Sequence, residues 1–153
     1  MNYFFILLVT LLTSCGNDFD TKYITQHSET KPYIKSFQTT FSWPAVTTNV
    51  YLVSSFNHPT SRLAPTTIAI CALPSKTIEI LQEAWNTLSE EGREQLIYHE
   101  LSHCEALLTH DEAKTDSGLP NSLMFPSMLE DYIYILRRDY YINELRLKIK
   151  DRT

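Results

Sequence analysis

The 153-residue chain has no run of basic residues, and its formal net charge is −5. The basic residues near the C-terminus alternate with acidic ones, which is typical of a solvated helix face. No segment combines basic and aromatic side chains as nucleic-acid-binding surfaces do. These absences argue against nucleic acid as a partner. The length and the hydrophobic content of 43% fit one globular domain with its own core.

A long hydrophobic run is also missing, because the apolar stretch at residues 4–12 is too short to span a bilayer comfortably. It ends in a Leu-Thr-Ser-Cys sequence, which has the form of a secretory signal with small residues before its cleavage site. The stretch resembles a bacterial lipobox, although it lacks the usual early Lys or Arg. We therefore predict a lipoprotein signal peptide at residues 1–14 and lipidation of Cys15. This predicts an exported, membrane-anchored protein of the bacterial cell envelope, periplasmic or at the cell surface, whereas a buried N-terminal strand or helix is the alternative.

The pattern His-Glu-x-x-His occurs at residues 99–103. Because a helix turns by about 100° per residue, side chains four positions apart lie side by side, so His99 and His103 can present two nitrogens to one metal ion. The carboxylate of Glu100 lies one step around the helix, where it can reach a metal-bound water. Imidazole suits Zn²⁺, and a third protein ligand plus water would complete a catalytic site. Ser89, followed by two glutamates, predicts the start of this helix, while two surface histidines on an ordinary helix are the alternative.

The third ligand depends on where the helix ends. In a continuous helix His110 would lie about 10 Å beyond His103 along the axis, far from the zinc–nitrogen distance of about 2 Å. His110 can therefore bind only if the helix ends near residues 107–108 and the chain folds back. Asp111 or Glu112 could bind instead, since carboxylates are acceptable zinc ligands. The sequence favours His110, with Asp111 as an alternative ligand or a residue that supports the ligands.

Residues 99–111, HELSHCEALLTHD, together with SLMFP at residues 122–126, resemble the metzincin zinc peptidases, whose signature is H-E-x-x-H-x-x-G-x-x-H followed by a Met-turn. The resemblance covers residues 66–146 and extends to small bacterial secreted or lipoprotein relatives. It implies that Glu100 is the general base and that Met124 lies beneath the metal. It also implies three zinc ligands, which are His99, His103 and His110.

The segment departs from the metzincin pattern in two ways. Its third histidine lies one residue later than in the signature, and the glycine of the sharp turn is absent. Ala106, Leu107 and Leu108 occupy that region, and Ser102 stands where the relatives usually have glycine. The turn must therefore be made without a residue that favours positive φ.

The predicted fold class is α+β, similar to the metzincins: a small mixed sheet packed on the zinc-binding helix, then the Met-turn and a long C-terminal helix. Residues 15–36 are polar and predict a tether, and residues 37–153 form the predicted metallopeptidase-like domain. Four segments rich in β-branched or aromatic residues are strand candidates, namely Phe37–Trp43, Val50–Phe56, Thr66–Leu73 and Thr77–Leu81. In the metzincin family an edge strand pairs with the substrate backbone, but the sequence does not identify that strand.

The long C-terminal helix is predicted to start with Ser127, whose S-x-x-E sequence has the form of a capping box, and to end near Ile149. The apolar members predicted for this helix are Met128, Leu129, Tyr132, Ile135, Leu136, Tyr140, Ile142, Leu145 and Ile149.

Cysteine usage is consistent with export. Once Cys15 is assigned to lipid, Cys71 and Cys104 remain as an even pair in an oxidising compartment. We predict a disulfide between them that fastens the sheet to the metal-binding helix, and two buried free thiols are the alternative. Cys104 points about 100° away from its neighbour His103, which argues against metal binding by the thiol.

The predicted function is zinc-dependent hydrolysis of peptide bonds in a peptide or protein substrate. Three protein ligands leave one position for water, whose pKa the metal lowers to about 7, and Glu100 takes its proton and passes it to the leaving amine. The alternative is a catalytically inactive zinc-binding envelope lipoprotein that acts as a binding module, its site closed by Asp111 or Glu112. A structural envelope protein with an accidental motif would bind no metal.

Overall fold

The computed structural model describes residues 23–26, 28–57 and 64–151. The predicted signal peptide and the predicted lipidation site Cys15 lie outside the described residues. No helix formed by the described residues is both long and apolar enough to cross a bilayer. The elements follow in the order β1 (Tyr23–Gln26), α1 (Lys31–Phe41), β2 (Asn49–Val53), β3 (Ala69–Ala72), β4 (Thr77–Leu81), α2 (Gln82–Thr87), α3 (Glu90–Cys104) and α4 (Asp131–Lys150).

The sheet is mixed, with the strand order β1-β2-β4-β3, so the predicted α+β class is confirmed. The central strands β2 and β4 pair in parallel, with Val50 opposite Ile78 and Leu52 opposite Ile80. All four side chains are buried, because each belongs to the face of its strand that packs on the helices. β1 and β3 pair antiparallel to β2 and β4 and form the two edges. The last three predicted strands therefore exist: β4 has the predicted bounds, whereas β2 and β3 are shorter than predicted.

The strand predicted at Phe37–Trp43 is wrong, because residues up to Phe41 belong to helix α1. Pro32 lies in the first turn of this helix, where a proline is tolerated because its amide would have no partner. Phe37 and Phe41 are four positions apart and are both buried on one face of the helix. An even spacing also fits the alternation of a strand, which is why the pattern predicted the wrong element. Ser42 ends the helix with a φ of 52°. Both β1 and the start of α1 lie within the segment predicted as a tether.

Helix α3 begins as the sequence predicts. The hydroxyl of Ser89 accepts a hydrogen bond from the Gly92 amide at 2.9 Å, which satisfies one of the free amides of the first turn. The helix packs against α1 and β3, and it is buried on more than one side, with Leu96, Ile97 and Leu101 in the core. The His-Glu-x-x-His motif at residues 99–103 therefore lies on a central element of the fold.

Helix α4 begins at Asp131, and its N-cap Glu130 makes no side-chain cap, so the capping box predicted at Ser127 is wrong. The helix is interrupted at Arg137, which has a φ of −118° and a ψ of 16°. A kink changes which side chains face the core, and one continuous apolar stripe does not describe this helix. Four of its predicted apolar members are exposed, namely Tyr132, Ile135, Leu136 and Tyr140. Three residues outside that prediction are buried instead, namely Ile133, Tyr134 and Tyr141.

A polar contact joins the first half of α4 to α3. The carboxylate of Glu94 accepts hydrogen bonds from the Tyr134 hydroxyl at 2.6 Å and from Arg138 at 2.8 and 3.0 Å. Burial alone would raise the pKa of Glu94, but the hydrogen bonds from Arg138 and Tyr134 outweigh it and hold the pKa below its usual value. The ionised carboxylate therefore contributes to the stability of the helix pair.

Candidate metal centre

Three histidines converge at the end of α3. His99 and His103 lie one turn apart on the helix, and His110 follows in the chain segment after it. The Nε2 atom of His99 lies 3.0 Å from that of His103 and 3.2 Å from that of His110. One ligand atom from each residue lies within 4.8 Å of the other two, so all three can bind one ion.

Backbone carbonyl groups orient two of these rings. The Nδ1 atom of His99 lies 2.9 Å from the Leu123 oxygen, and that of His103 lies 2.6 Å from the Leu108 oxygen. A carbonyl oxygen can only accept, so each Nδ1 carries the proton and each Nε2 keeps its lone pair. Lone pairs 3.0 Å apart repel one another unless a cation lies between them.

The donor set fits a tetrahedral zinc site. Ligand nitrogens at about 2.0–2.1 Å from such an ion are about 3.3 Å from one another, which is near the observed separations. Burial, and to a lesser extent the neighbouring His103, lower the pKa of His99 to about 4. Burial is also the main reason why the pKa of His103 is lowered. Both imidazoles are therefore neutral at pH 7, which is the form that binds a metal.

The chain folds back to bring His110 to the other two histidines. Helix α3 ends at Cys104, and the Leu108 amide donates to the Ser102 carbonyl at 3.1 Å. In a Schellman motif, the usual left-handed end of a helix, the corresponding hydrogen bond spans one position fewer. Leu107 has a φ of 54°, so a leucine adopts the left-handed conformation that glycine normally supplies. The wider turn accommodates the additional residue between the second and third histidines.

Glu100 lies in the same cleft as the three histidines. The cleft has a volume of about 1140 Å³ and is lined by β3, by the second half of α3, by residues 107–110 and by residues 123–129. The side chain of Glu100 is buried, and this burial raises its pKa to about 8. A cation held by the three histidines would favour the ionised carboxylate and lower this pKa towards neutrality, where a carboxyl group can both accept and release a proton.

Met124 lies in a tight turn that contacts the third histidine's segment. Its side chain is fully buried. Its amide donates to the Ser122 hydroxyl at 3.0 Å, and its carbonyl accepts from the Asp111 amide at 2.9 Å. The next residue back, Leu123, supplies the carbonyl that orients His99. The predicted Met-turn segment is thus hydrogen-bonded to both ends of the histidine cluster.

The structure separates Asp111 from the ligand cluster. Asp111 Oδ2 lies 2.5 Å from Lys148 Nζ, and its Oδ1 accepts from the Ala113 amide at 2.9 Å. Neither Asp111 nor Glu112 belongs to the group of potential ligands found among the described residues. The carboxylate of Asp111 therefore binds Lys148 and the backbone of Ala113 and does not join the group of potential ligands.

Cys71 of β3 and Cys104 at the end of α3 form a disulfide, with their Cα atoms 5.7 Å apart. The bond joins the edge strand that lines the cleft to the helix that carries His99 and His103. The neighbouring residue Glu105 accepts hydrogen bonds from the Thr48 amide and hydroxyl at 2.8 and 2.6 Å. The end of α3 is consequently fixed on two sides.

Sequence reasoning missed two residues that support the site, Glu105 and Lys148. Lys148 is one of the basic residues near the C-terminus for which the alternating charges predict a solvated helix face, but it binds Asp111, 37 positions earlier in the chain. Glu105 binds Thr47 and Thr48, which are 58 and 57 positions away, and Lys76, which is 29 positions away. No local pattern signals such contacts, because they depend on the packing of distant segments.

A comparison with protein families matches residues 54–151 to the family described as "Putative phage metallopeptidase". No curated protein and no solved structure shows significant similarity to the chain. The matched region is more than half of the sequence, and it contains all three histidines, Glu100 and the turn at residues 122–125. The chain therefore belongs to the "Putative phage metallopeptidase" family.

Proposed function

We propose that the protein is a zinc-dependent, metzincin-like peptidase in which His99, His103 and His110 hold the metal and Glu100 is the general base. The observation that carries the proposal is the convergence of the histidine Nε2 atoms, two of them with fixed tautomers, beside a buried carboxylate in one cleft. Membership of a metallopeptidase family supports the same chemistry. Zinc is the proposed ion because three imidazoles are typical of catalytic zinc sites.

The residues of the cleft have separate roles in the proposed hydrolysis. His99, His103 and His110 would hold the zinc ion, which when bound would polarise the scissile carbonyl and lower the pKa of the attacking water to about 7. Glu100 accepts the proton of this water and then donates it to the nitrogen of the leaving amine. The carbonyl groups of Leu123 and Leu108 hold the rings of His99 and His103, so that little reorganisation is needed during the reaction.

We propose that β3 binds the substrate. This strand lines the cleft, and within the described residues it pairs only with β4, on one side. The amides and carbonyls of its other edge are available for an extended peptide, which would add to the sheet as a further strand. An extended segment of a peptide or protein is therefore the proposed substrate.

Glu100→Gln tests the proposed base. We expect the variant to keep about one zinc ion per chain and to lose roughly 10²–10⁴-fold in kcat/KM on an unfolded protein substrate, because only the proton transfer is removed. Glu83→Gln is the matched control, since this exposed carboxylate lies on α2, away from the cleft. Zinc is measured by elemental analysis and cleavage by release of new amino groups. If Glu100→Gln cleaves as fast as the parent, Glu100 is not the base. If the parent binds zinc but cleaves nothing, the protein is a zinc-binding module.

We also propose that the protein is exported and anchored through Cys15. The disulfide supports this proposal, because such bonds persist mainly in oxidising compartments. Cys15→Ser should move the protein from the membrane fraction to the soluble fraction of bacteria that express the full chain. Equal amounts of the two proteins in the membrane fraction would contradict the anchor.

A further inference from the structure

Lys148, in the last turns of α4, connects two segments of the metal centre. Its Nζ atom lies 2.5 Å from Asp111 Oδ2 and 3.2 Å from the Ser122 hydroxyl. Asp111 is the residue after His110, and Ser122 is the first residue of the turn at residues 122–125. A single ammonium group therefore binds both the segment of the third histidine and the turn that packs against it.

Asp111 and Ser122, the two partners of Lys148 near the histidines, are hydrogen-bonded to the same methionine. The Asp111 amide donates to the Met124 carbonyl at 2.9 Å, and the Ser122 hydroxyl accepts from the Met124 amide at 3.0 Å. Lys148 closes a ring of hydrogen bonds through these three residues. The same turn carries the Leu123 carbonyl that orients the ring of His99. Displacement of either segment would therefore change how the histidines face one another.

Further contacts hold Lys148 and Asp111 in place. Lys148 Nζ lies 2.8 Å from Glu144 Oε1, one turn earlier on α4. Asp111 Oδ1 accepts from the Ala113 amide, so its carboxylate is held at both oxygens. The side chains of Lys148 and Asp111 are each 32% exposed, so the contact is only partly open to water. An ammonium group between two carboxylates and a hydroxyl is a charge-assisted arrangement with defined geometry.

We propose that Lys148 is a positioning residue that fixes the imidazole of His110 in the metal centre by binding Asp111 and Ser122 together. The proposal rests on the proposed function in one respect, namely that His110 is a metal ligand. Lys148 does not touch the reacting atoms. Its effect passes through the backbone of residues 110–111, because the carboxylate that it binds belongs to the neighbour of the ligand.

The test is zinc affinity, measured by competition with a chromophoric chelator, for the parent chain and for Lys148→Met. We expect the variant to bind zinc about 10–100-fold more weakly, which is the usual effect of removing a partner that supports a ligand. Lys148→Arg keeps the charge and should recover part of the loss. Lys35→Met, on the exposed side of α1, is the control and should bind as the parent does.

A His110→Ala background separates positioning from a general effect on the fold. If Lys148 acts through His110, Lys148→Met should change zinc affinity less than twofold in that background. An equal loss in both backgrounds would show that Lys148 supports the fold as a whole, and it would overturn the proposal. Affinity within twofold of the parent for Lys148→Met alone would overturn it too.

Asp111→Asn provides a second route if Lys148→Met does not fold. It removes the charge that Lys148 binds while an amide oxygen can still accept from Ala113, and the same 10–100-fold loss is expected. A loss under twofold overturns the proposal. A parent chain that binds zinc without cleaving peptides contradicts the proposed peptidase but not the role of Lys148. A parent that binds no zinc contradicts both.

Discussion

Replacing both cysteines of the disulfide, by Cys71→Ser together with Cys104→Ala, separates the edge strand β3 from the end of α3. Alanine suits position 104 because that side chain is fully buried, and serine suits the half-buried position 71. The two cysteines are 33 positions apart. The chain-entropy relation for a loop of that length gives a loss of about 3.7 kcal/mol in the free energy of unfolding at 25 °C.

The same loss can be expressed as a change in Tm. In a domain of this size, 1 kcal/mol corresponds to roughly 3–4 °C, so the Tm of the double variant should be about 11–15 °C below that of the parent. The m-value for urea should be larger than that of the parent, because the unfolded chain exposes more surface once the cross-link is gone. Thermal and urea unfolding of the two proteins provide both measurements.

Reductant gives an independent check of the cause. We expect a reducing agent to lower the Tm of the parent to that of the double variant, and to leave the double variant unchanged, because only the parent has a disulfide to lose. Cys15 is present in both proteins and so cancels in the comparison. A loss below about 1 kcal/mol, or an equal effect of reductant on both proteins, would refute the reasoning from loop length.

Two further predictions concern the packing around the site. Burial alone would raise the pKa of Glu94, but hydrogen bonds from Arg138 and Tyr134 hold it below its usual value of 4.5. The stability that the ionised carboxylate contributes is therefore fully present above pH 4.5 and is lost as the pH falls through the lower pKa of the folded state. Glu94→Gln should lower the free energy of unfolding by about 1–3 kcal/mol at pH 7. Urea unfolding from pH 7 down to acid should show this difference shrinking, and a difference independent of pH would contradict the ion pair. Met124→Ala should lose about 2–5 kcal/mol and Met124→Leu less than about 1.5 kcal/mol, because only alanine leaves a cavity. Equal losses in urea unfolding would show that the side chain does more than fill space.

Sequence patterns predicted the parts of the fold that depend on interactions between residues close together in the chain. The start of α3 at Ser89 follows from a cap that needs only the next three residues. The strand error at residues 37–43 has a local cause as well, since Phe37 and Phe41 fit a helical spacing as well as a loose alternation. The faces of α4 could not be read from the sequence, because the break at Arg137 shifts them and no proline or glycine marks it.

The candidate site could be predicted only in part for a similar reason. The spacing of His99 and His103 places both rings on one helix face. His110 can reach the other two histidines only if the chain folds back after α3, and no residue in the sequence marks how that turn is made. The structure supplies it through Leu107 and the contact between the Leu108 amide and the Ser102 carbonyl. The roles of individual residues in metal binding and catalysis remain predictions.

The leucine at position 107 has a consequence for finding related peptidases from sequence. An L-residue in the left-handed region costs about 1–2 kcal/mol relative to the right-handed one, and this chain accepts that penalty where glycine would avoid it. A search pattern that demands glycine, or a fixed count between the second and third histidines, would therefore pass over such chains. Allowing five or six intervening residues and any residue at the turn should recover them.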